Sequence, residues 1–131
     1  MPHLITFETN KFDPASEKEN PNNPIAGQSI LNWLRKEVEG KYGLSNPEPE
    51  DWGWCSTTET SDGLMIVGAS ADIDQAQPIE WAIQIHKRRS MMDKMLGRNP
   101  HRSDDPLTAT IRSAIESIEG VKVLSVDTPP G

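Results

Sequence analysis

The sequence contains a single cysteine and has no long apolar run. Because Cys55 stands alone among 131 residues, no disulfide can form within the chain, and a reducing cytoplasm is the predicted compartment. The first residues lack the basic start and the long apolar core of a signal peptide. No run approaches the roughly 20 apolar residues of a membrane span. These absences predict a soluble, cytoplasmic protein.

Motifs that carry common chemistry are also missing. The chain has no P-loop, no glycine-rich dinucleotide motif and no Gly-x-Ser-x-Gly element. His3, His86 and His101 are scattered, without the spacing of metal ligands. Asp72 and Asp74 lie near a predicted sheet rim, but such pairs are usually ordinary loop residues. The sequence therefore predicts no cofactor and no metal.

Apolar residues are scarce, and acidic residues exceed basic ones. The apolar fraction is 34%, which predicts much loop and solvated surface. Twenty acidic against thirteen basic residues give a formal net charge of -7, which argues against a general affinity for nucleic acid or for anionic membranes. A chain of 131 residues fits one domain with one core.

Three successive strand-like runs between residues 50 and 85 are the strongest structural signal. In the last run, large apolar residues alternate with smaller or polar ones, the period of a strand with one buried face. The Asp62-Gly63 dipeptide favours a tight hairpin between the first two runs. The runs therefore predict an antiparallel meander. The residues predicted for its core are Ile79, Trp81, Ile83 and Ile85.

A long helix is predicted to start at Asn23, whose side chain would cap the first free amides, with Pro24 in the first turn. Apolar residues then recur at helical spacing as far as Val38, and Gly43 is the predicted stop.

Two helices are predicted after the meander. Ser90 and Asp93 have the spacing of a capping box, which predicts a short helix over residues 91–96. Asp105 followed by Pro106 predicts the start of a second long helix, which ends before Gly120.

Strands over residues 4–7 and 121–126 complete the predicted order β-α-β-β-β-α-β. This order predicts a single α+β domain over residues 1–131, in which an antiparallel or mixed sheet of about five strands carries two helices on one face. Residues 8–23 are polar and rich in turn formers, so a mobile loop is predicted there. Residues 128–131 are predicted to form a short tail.

The chain between His86 and Arg102 holds six of the thirteen basic residues and one of the twenty acids. Clustered ammonium and guanidinium groups can bind carboxylate or phosphate, although they can equally pair with the protein's own acids, as surface charges commonly do. Both interpretations stay open. The cluster has no aromatic residues for stacking on single-stranded nucleic acid. We call its members the basic segment: Lys87, Arg88, Arg89, Lys94, Arg98 and Arg102.

Trp52 and Trp54 form a second candidate site. Two residues apart on one predicted strand, they would share a face, where they either pack in the core or line a ligand cleft or interface. Gly53 between them allows a bulge. Cys55 is predicted to be a buried or inert residue, because a catalytic thiolate would need a base such as His86 or His101 within hydrogen-bond reach and nothing in the spacing shows one.

The C-terminal half contains a set of short motifs: Glu50-Asp-Trp-Gly-Trp54, Val67-Gly-Ala-Ser70, Glu80-Trp-Ala-Ile-Gln-Ile85, Lys87-x-Arg-Ser90, Asp93-Lys94, Gly97, Asn99 and Asp104-Asp-Pro-Leu107. Together they resemble those of small uncharacterised bacterial proteins of the mobile gene cassette (integron cassette) type. The resemblance implies a compact α+β domain that forms an oligomer, and it transfers no catalytic residue.

Together these features predict a small non-catalytic binding protein, whose basic segment contacts an acidic protein or a small anion. A homodimer formed through leftover apolar sheet surface is a further prediction. One alternative is a small hydrolase or transferase with a cleft beside Trp52 and Trp54 and with His86 as general base. Another is an immunity or inhibitor protein, with which small size and acidic charge are compatible.

Overall fold

The structure, a computed structural model that describes residues 3–98 and 105–127, contains seven strands and three α-helices. The helices are α1 (Gln28–Val38), α2 (Met91–Leu96) and α3 (Pro106–Glu116), and a single 3-10 turn spans Pro14–Ser16. The strands are β1 (His3–Thr9), β2 (Ile25–Ala26), β3 (Glu48–Glu50), β4 (Gly53–Thr60), β5 (Gly63–Asp72), β6 (Ile79–Lys87) and β7 (Lys122–Asp127).

Six strands form a sheet in the order β3-β4-β5-β6-β1-β7, and the short β2 pairs with β5 off this path. Every pairing is antiparallel. The α+β class is therefore confirmed. The expected count of about five strands is too low, because β2 and β3 are two and three residues long and too short to show a period of two.

The meander β4-β5-β6 is confirmed. Thr60 pairs with Gly63 at the hairpin between β4 and β5, and Gly63 has a φ of 112°, a conformation that favours glycine. All four residues predicted for the core of β6 are buried.

The long helices α1 and α3 pack on one face of the sheet, which we call the covered face; the opposite face, which neither of these two helices covers, we call the helix-free face. Ile5 and Phe7 of β1 share the covered face with Trp81 of β6, and all three are fully buried. Both long helices contribute to the same hydrophobic core through one side. Their buried apolar residues are Ile30, Leu31, Leu34 and Val38 of α1 and Leu107, Ile111 and Ile115 of α3.

Helix α1 is shorter than predicted, running from Gln28 to Val38 instead of from Asn23 to Gly43. Asn23 does not cap it, because its side-chain amide donates to the Asp51 carbonyl at 2.7 Å. The cap comes from Glu17. Its carboxylate accepts the backbone N–H groups of Gly27 and Gln28 at 2.9 Å and that of Ser29 at 3.0 Å, together with the Ser29 hydroxyl.

The segment predicted as a mobile loop makes several contacts with the rest of the fold. Its first residues, Glu8 and Thr9, belong to β1. Phe12 is buried, with its ring centroid 5.5 Å from that of Trp33 and 5.7 Å from that of Trp81, both edge-to-face. Phe12 therefore anchors this segment to the hydrophobic core.

The helices after the meander begin where the sequence predicts. The Ser90 hydroxyl accepts the Asp93 backbone N–H at 3.0 Å, and α2 ends at Gly97 in the left-handed conformation. The Asp105 carboxylate caps α3, and Pro106 occupies its first turn. Strand β7 lies one residue later than predicted. The tail at residues 128–131 lies outside the described residues.

No helix of the described chain is long and apolar enough to cross a bilayer.

Candidate interaction surface

The basic segment runs from the end of β6 through α2 to the turn after it. Lys87 is the last residue of β6, and the Arg88 backbone N–H donates to the Leu64 carbonyl at 2.8 Å, which continues the pairing with β5. Lys94 lies in α2 and Arg98 follows its cap. Arg102, like the candidate base His101, lies outside the described residues.

Arg89 has a structural role. Its Nε and Nη2 donate to the Arg98 carbonyl at 3.1 and 2.7 Å, and Nη2 also donates to the Asp93 carbonyl at 3.1 Å. Because Asp93 lies within α2 and Arg98 follows its Gly97 cap, these hydrogen bonds join the Arg89 side chain to the C-terminal turn of α2. Arg89 therefore holds α2 against the end of β6.

Arg98 is paired within the protein. Its Nε lies 3.7 Å from Oδ1 of Asp93, and the two side chains are 56% and 21% exposed. Such a pair contributes little stability, but it partly neutralises Arg98.

Three bases differ from these two. Lys87, Arg88 and Lys94 form no ion pair and no side-chain hydrogen bond within residues 3–98 and 105–127. Arg88 and Lys94 are exposed, and Lys87 is half-buried. The structure thus divides the basic segment, and these three form the part whose charge is not used by the described fold. We call them the free bases.

Helix α2 between these bases is unusual because it has no buried residue. Its apolar side chains are 60% to 79% exposed. They lie on one side of the helix, because residues four positions apart share a helix face. The two pairs at this spacing are Met91 with Met95 and Met92 with Leu96. We call these four residues the methionine face: Met91, Met92, Met95 and Leu96.

Sequence reasoning predicted α2 but missed the methionine face. The sequence does contain a signal for this face, namely four apolar residues on one side of a predicted six-residue helix. Such an apolar stripe needs another surface to cover it. The sequence alone did not show that the protein's own core leaves the stripe open.

The two tryptophans do not share a strand face. Trp54 belongs to β4 and is 2% exposed, with its indole N–H donating to the Ile25 carbonyl at 3.2 Å. Trp52 lies in the turn between β3 and β4 and is 38% exposed. The expectation of a single strand through both residues was wrong, because Gly53, with φ 151°, pairs with Glu50 and closes a hairpin between β3 and β4. Trp54 is a core residue.

Trp52 lies over the helix-free face. A Cβ at Gly68 would lie 2.4 Å from its Cη2 atom, so the absence of a side chain at Gly68 makes room for the indole. A cavity of about 390 Å³ adjoins the ring. The described residues that line it are Pro24, Ile25, Trp52, Ser70, Ala71 and Asp72.

His86 does not line this cavity. It pairs with Ile66 on β5, whereas Gly68 beneath Trp52 pairs with Gln84. The geometry predicted for an enzyme, in which His86 acts as base in a tryptophan-lined cleft, is therefore not found.

Cys55 is half-buried on β4. Burial, together with the smaller effects of the nearby carboxylates of Glu50 and Glu48, raises the pKa of this thiol to about 11. The thiol is therefore protonated at neutral pH, the opposite of what an activated nucleophile requires.

Comparisons of this chain with protein families, with curated protein sequences and with solved structures found no match. The resemblance to proteins of the mobile gene cassette type therefore stays a prediction.

Proposed function

We propose that this chain is a non-catalytic binding protein that contacts an acidic protein partner through the methionine face and the free bases. The observation that supports the proposal is an ordered apolar helix face, with side chains 60% to 79% exposed, beside bases that the described fold does not neutralise. An immunity or inhibitor role would be one form of this function.

The order of α2 requires an explanation, because an isolated six-residue helix is not stable in water. Here the Ser90 cap, the left-handed Gly97 and three hydrogen bonds from Arg89 hold it. None of these contacts buries the methionine face. The fold therefore presents a preformed surface, and preformed surfaces bind with a smaller loss of conformational entropy.

The chemistry of the surface favours a protein over a small anion. Methionine side chains are flexible and polarisable, and they are frequent on surfaces that accept apolar side chains of a partner. The cations beside them would pair with carboxylates at the rim of such a contact and would exclude basic partners. A small anion would leave the methionine face in water.

The test uses synthetic peptides, with binding measured by fluorescence anisotropy. The first is an amphipathic helix-forming peptide with leucines on one face and glutamates beside them. In the second the leucines are replaced by serine, and in the third the glutamates are replaced by lysine. We expect measurable binding of the first peptide alone, because only this peptide matches both parts of the surface.

Two double variants test the site. Arg88→Glu with Lys94→Glu should weaken binding of the first peptide by about tenfold or more, equivalent to about 1.4 kcal/mol. The control Lys36→Glu with Lys41→Glu makes the same change of charge on and after α1 and should leave binding within about twofold. Equal losses in both variants, or equal binding of the acidic and basic peptides, would contradict the proposal.

A further inference from the structure

Strand β7 forms one edge of the sheet. It spans six residues, contains no proline, and leaves Val123 and Leu124 37% and 39% exposed. Within the described chain, no strand pairs with its outer side. Edge strands of this kind expose unpaired N–H and C=O groups that can pair with another chain, so proteins usually block them.

The sequence of β7 is complementary to itself. In the antiparallel arrangement that a two-fold axis generates, Lys122 of one copy lies opposite Asp127 of the other. The symmetry produces two such pairs, one at each end of the paired strands. Val123 lies opposite Val126 in the same register. Opposite charges and β-branched pairs across a strand both stabilise antiparallel pairing.

The faces of the sheet also agree with this register. In the pairing with β1, Lys122 lies opposite Glu8 and Asp127 opposite Leu4, which places both charged residues on the helix-free face. Val123 and Val126 lie opposite Phe7 and Ile5 on the covered face. Leu124 is the extra residue at the irregularity, and it shifts the alternation by one position, so that Val123 and Ser125 lie on opposite faces.

Other registers fit less well. A shift by one residue would place Lys122 opposite Val126, with the two side chains directed to different faces of the joined sheet. A shift by two residues in either direction separates Lys122 from Asp127, so neither charge lies opposite its counterpart. The register that joins Lys122 to Asp127 is the one that pairs both charges and places Val123 opposite Val126 on the same face.

We propose that β7 is a dimerisation strand, which pairs with β7 of a second copy to form one continuous sheet through both. This inference is independent of the binding function proposed for α2, because it rests on strand β7 and on none of the residues of α2. A six-residue edge is a small interface, so the dimer is expected to dissociate on dilution.

Charge-reversal variants test the register. Lys122→Asp places two aspartates opposite each other at each end of the interface, and Asp127→Lys places two lysines there. We expect sedimentation velocity to show each single variant shifted toward monomer at concentrations where the unmodified chain is dimeric. An equimolar mixture of the two variants should recover a heterodimer, because each end then joins one aspartate to one lysine.

The double variant Lys122→Asp with Asp127→Lys should also restore the dimer. Lys36→Asp is the control for charge alone and should dimerise as the unmodified chain does. Lys122 lies opposite Glu8 within one copy, so Lys122→Asp also places two carboxylates together inside the fold, whereas Asp127 lies opposite the uncharged Leu4. Thermal unfolding of each variant shows whether a loss of dimer reflects a loss of fold. A chain that is monomeric at every concentration, or single variants that dimerise normally, would overturn the proposal.

Discussion

Helices α2 and α3 begin in the same way and are used differently. Each starts with a side chain that accepts a backbone N–H of the first turn, Ser90 for α2 and Asp105 for α3. Helix α3 then buries Leu107, Ile111 and Ile115, whereas α2 buries no residue. The caps determine where each helix begins. Burial determines whether the helix stabilises the fold or presents a surface.

This difference predicts that the two helices respond unequally to the same kind of change. The core should depend on α3 and not on α2, so substitutions in α2 should affect contacts with other molecules more than the free energy of unfolding.

The largest expected effect is at the buried centre of α3. Ile111 is fully buried, and Ile111→Ala should lower the free energy of unfolding by about 2–5 kcal/mol, because it removes core contacts and leaves a cavity. Met95→Ala in α2 should change it by less than about 0.5 kcal/mol, since Met95 is 79% exposed. Urea denaturation measures both. Similar losses would mean that the methionine face is covered in solution.

A smaller effect is expected at α1, whose cap is distant in sequence. Glu17→Ala removes a carboxylate that accepts three backbone N–H groups and a hydroxyl, and it should cost about 1–2 kcal/mol in urea denaturation. The neighbouring exposed residue provides the control, and Glu19→Ala should be close to neutral. A neutral Glu17→Ala would show that another group takes over the cap.

The smallest effects are expected when the caps of α2 and α3 are removed. Asp105→Ala should cost about 1 kcal/mol, because the carboxylate accepts two backbone N–H groups and the Thr108 hydroxyl at a buried position. Ser90→Ala should leave global stability nearly unchanged while speeding amide exchange within α2. Hydrogen exchange measures the second effect. Protection in α2 that survives Ser90→Ala would show that Arg89 and the Gly97 cap hold the helix without Ser90.

The elements that the sequence predicted well are those determined by neighbouring residues. The capping signals at Ser90 and Asp105, the hairpin at Gly63 and the alternation in β6 each act over a few positions, and all were confirmed. The predicted start of α1 was wrong because the carboxylate that caps the helix belongs to Glu17, ten residues before Gly27. A contact of this kind has no periodic trace in the sequence.

The candidate site was predicted only in outline. The sequence located the basic segment, but Arg88 and Arg89 are adjacent and chemically identical. Only the structure shows that Arg89 donates to the end of α2 while Arg88 remains exposed. The tryptophans were paired incorrectly for a similar reason. A tight hairpin at Gly53 separates Trp52 from Trp54, and strand periodicity cannot reveal it.

The interior position of β1 has a consequence for folding kinetics. Strand β1 lies between β6 and β7, and the hydroxyls of Thr6 and Ser125, which bond across this pairing, are 119 positions apart. Most of the chain must therefore be closed into a loop before these strands meet, and proteins with such non-local pairings fold slowly. The meander β4-β5-β6 contains only neighbouring hairpins. We therefore expect the meander to form early, with docking of β1 and then β7 limiting the rate.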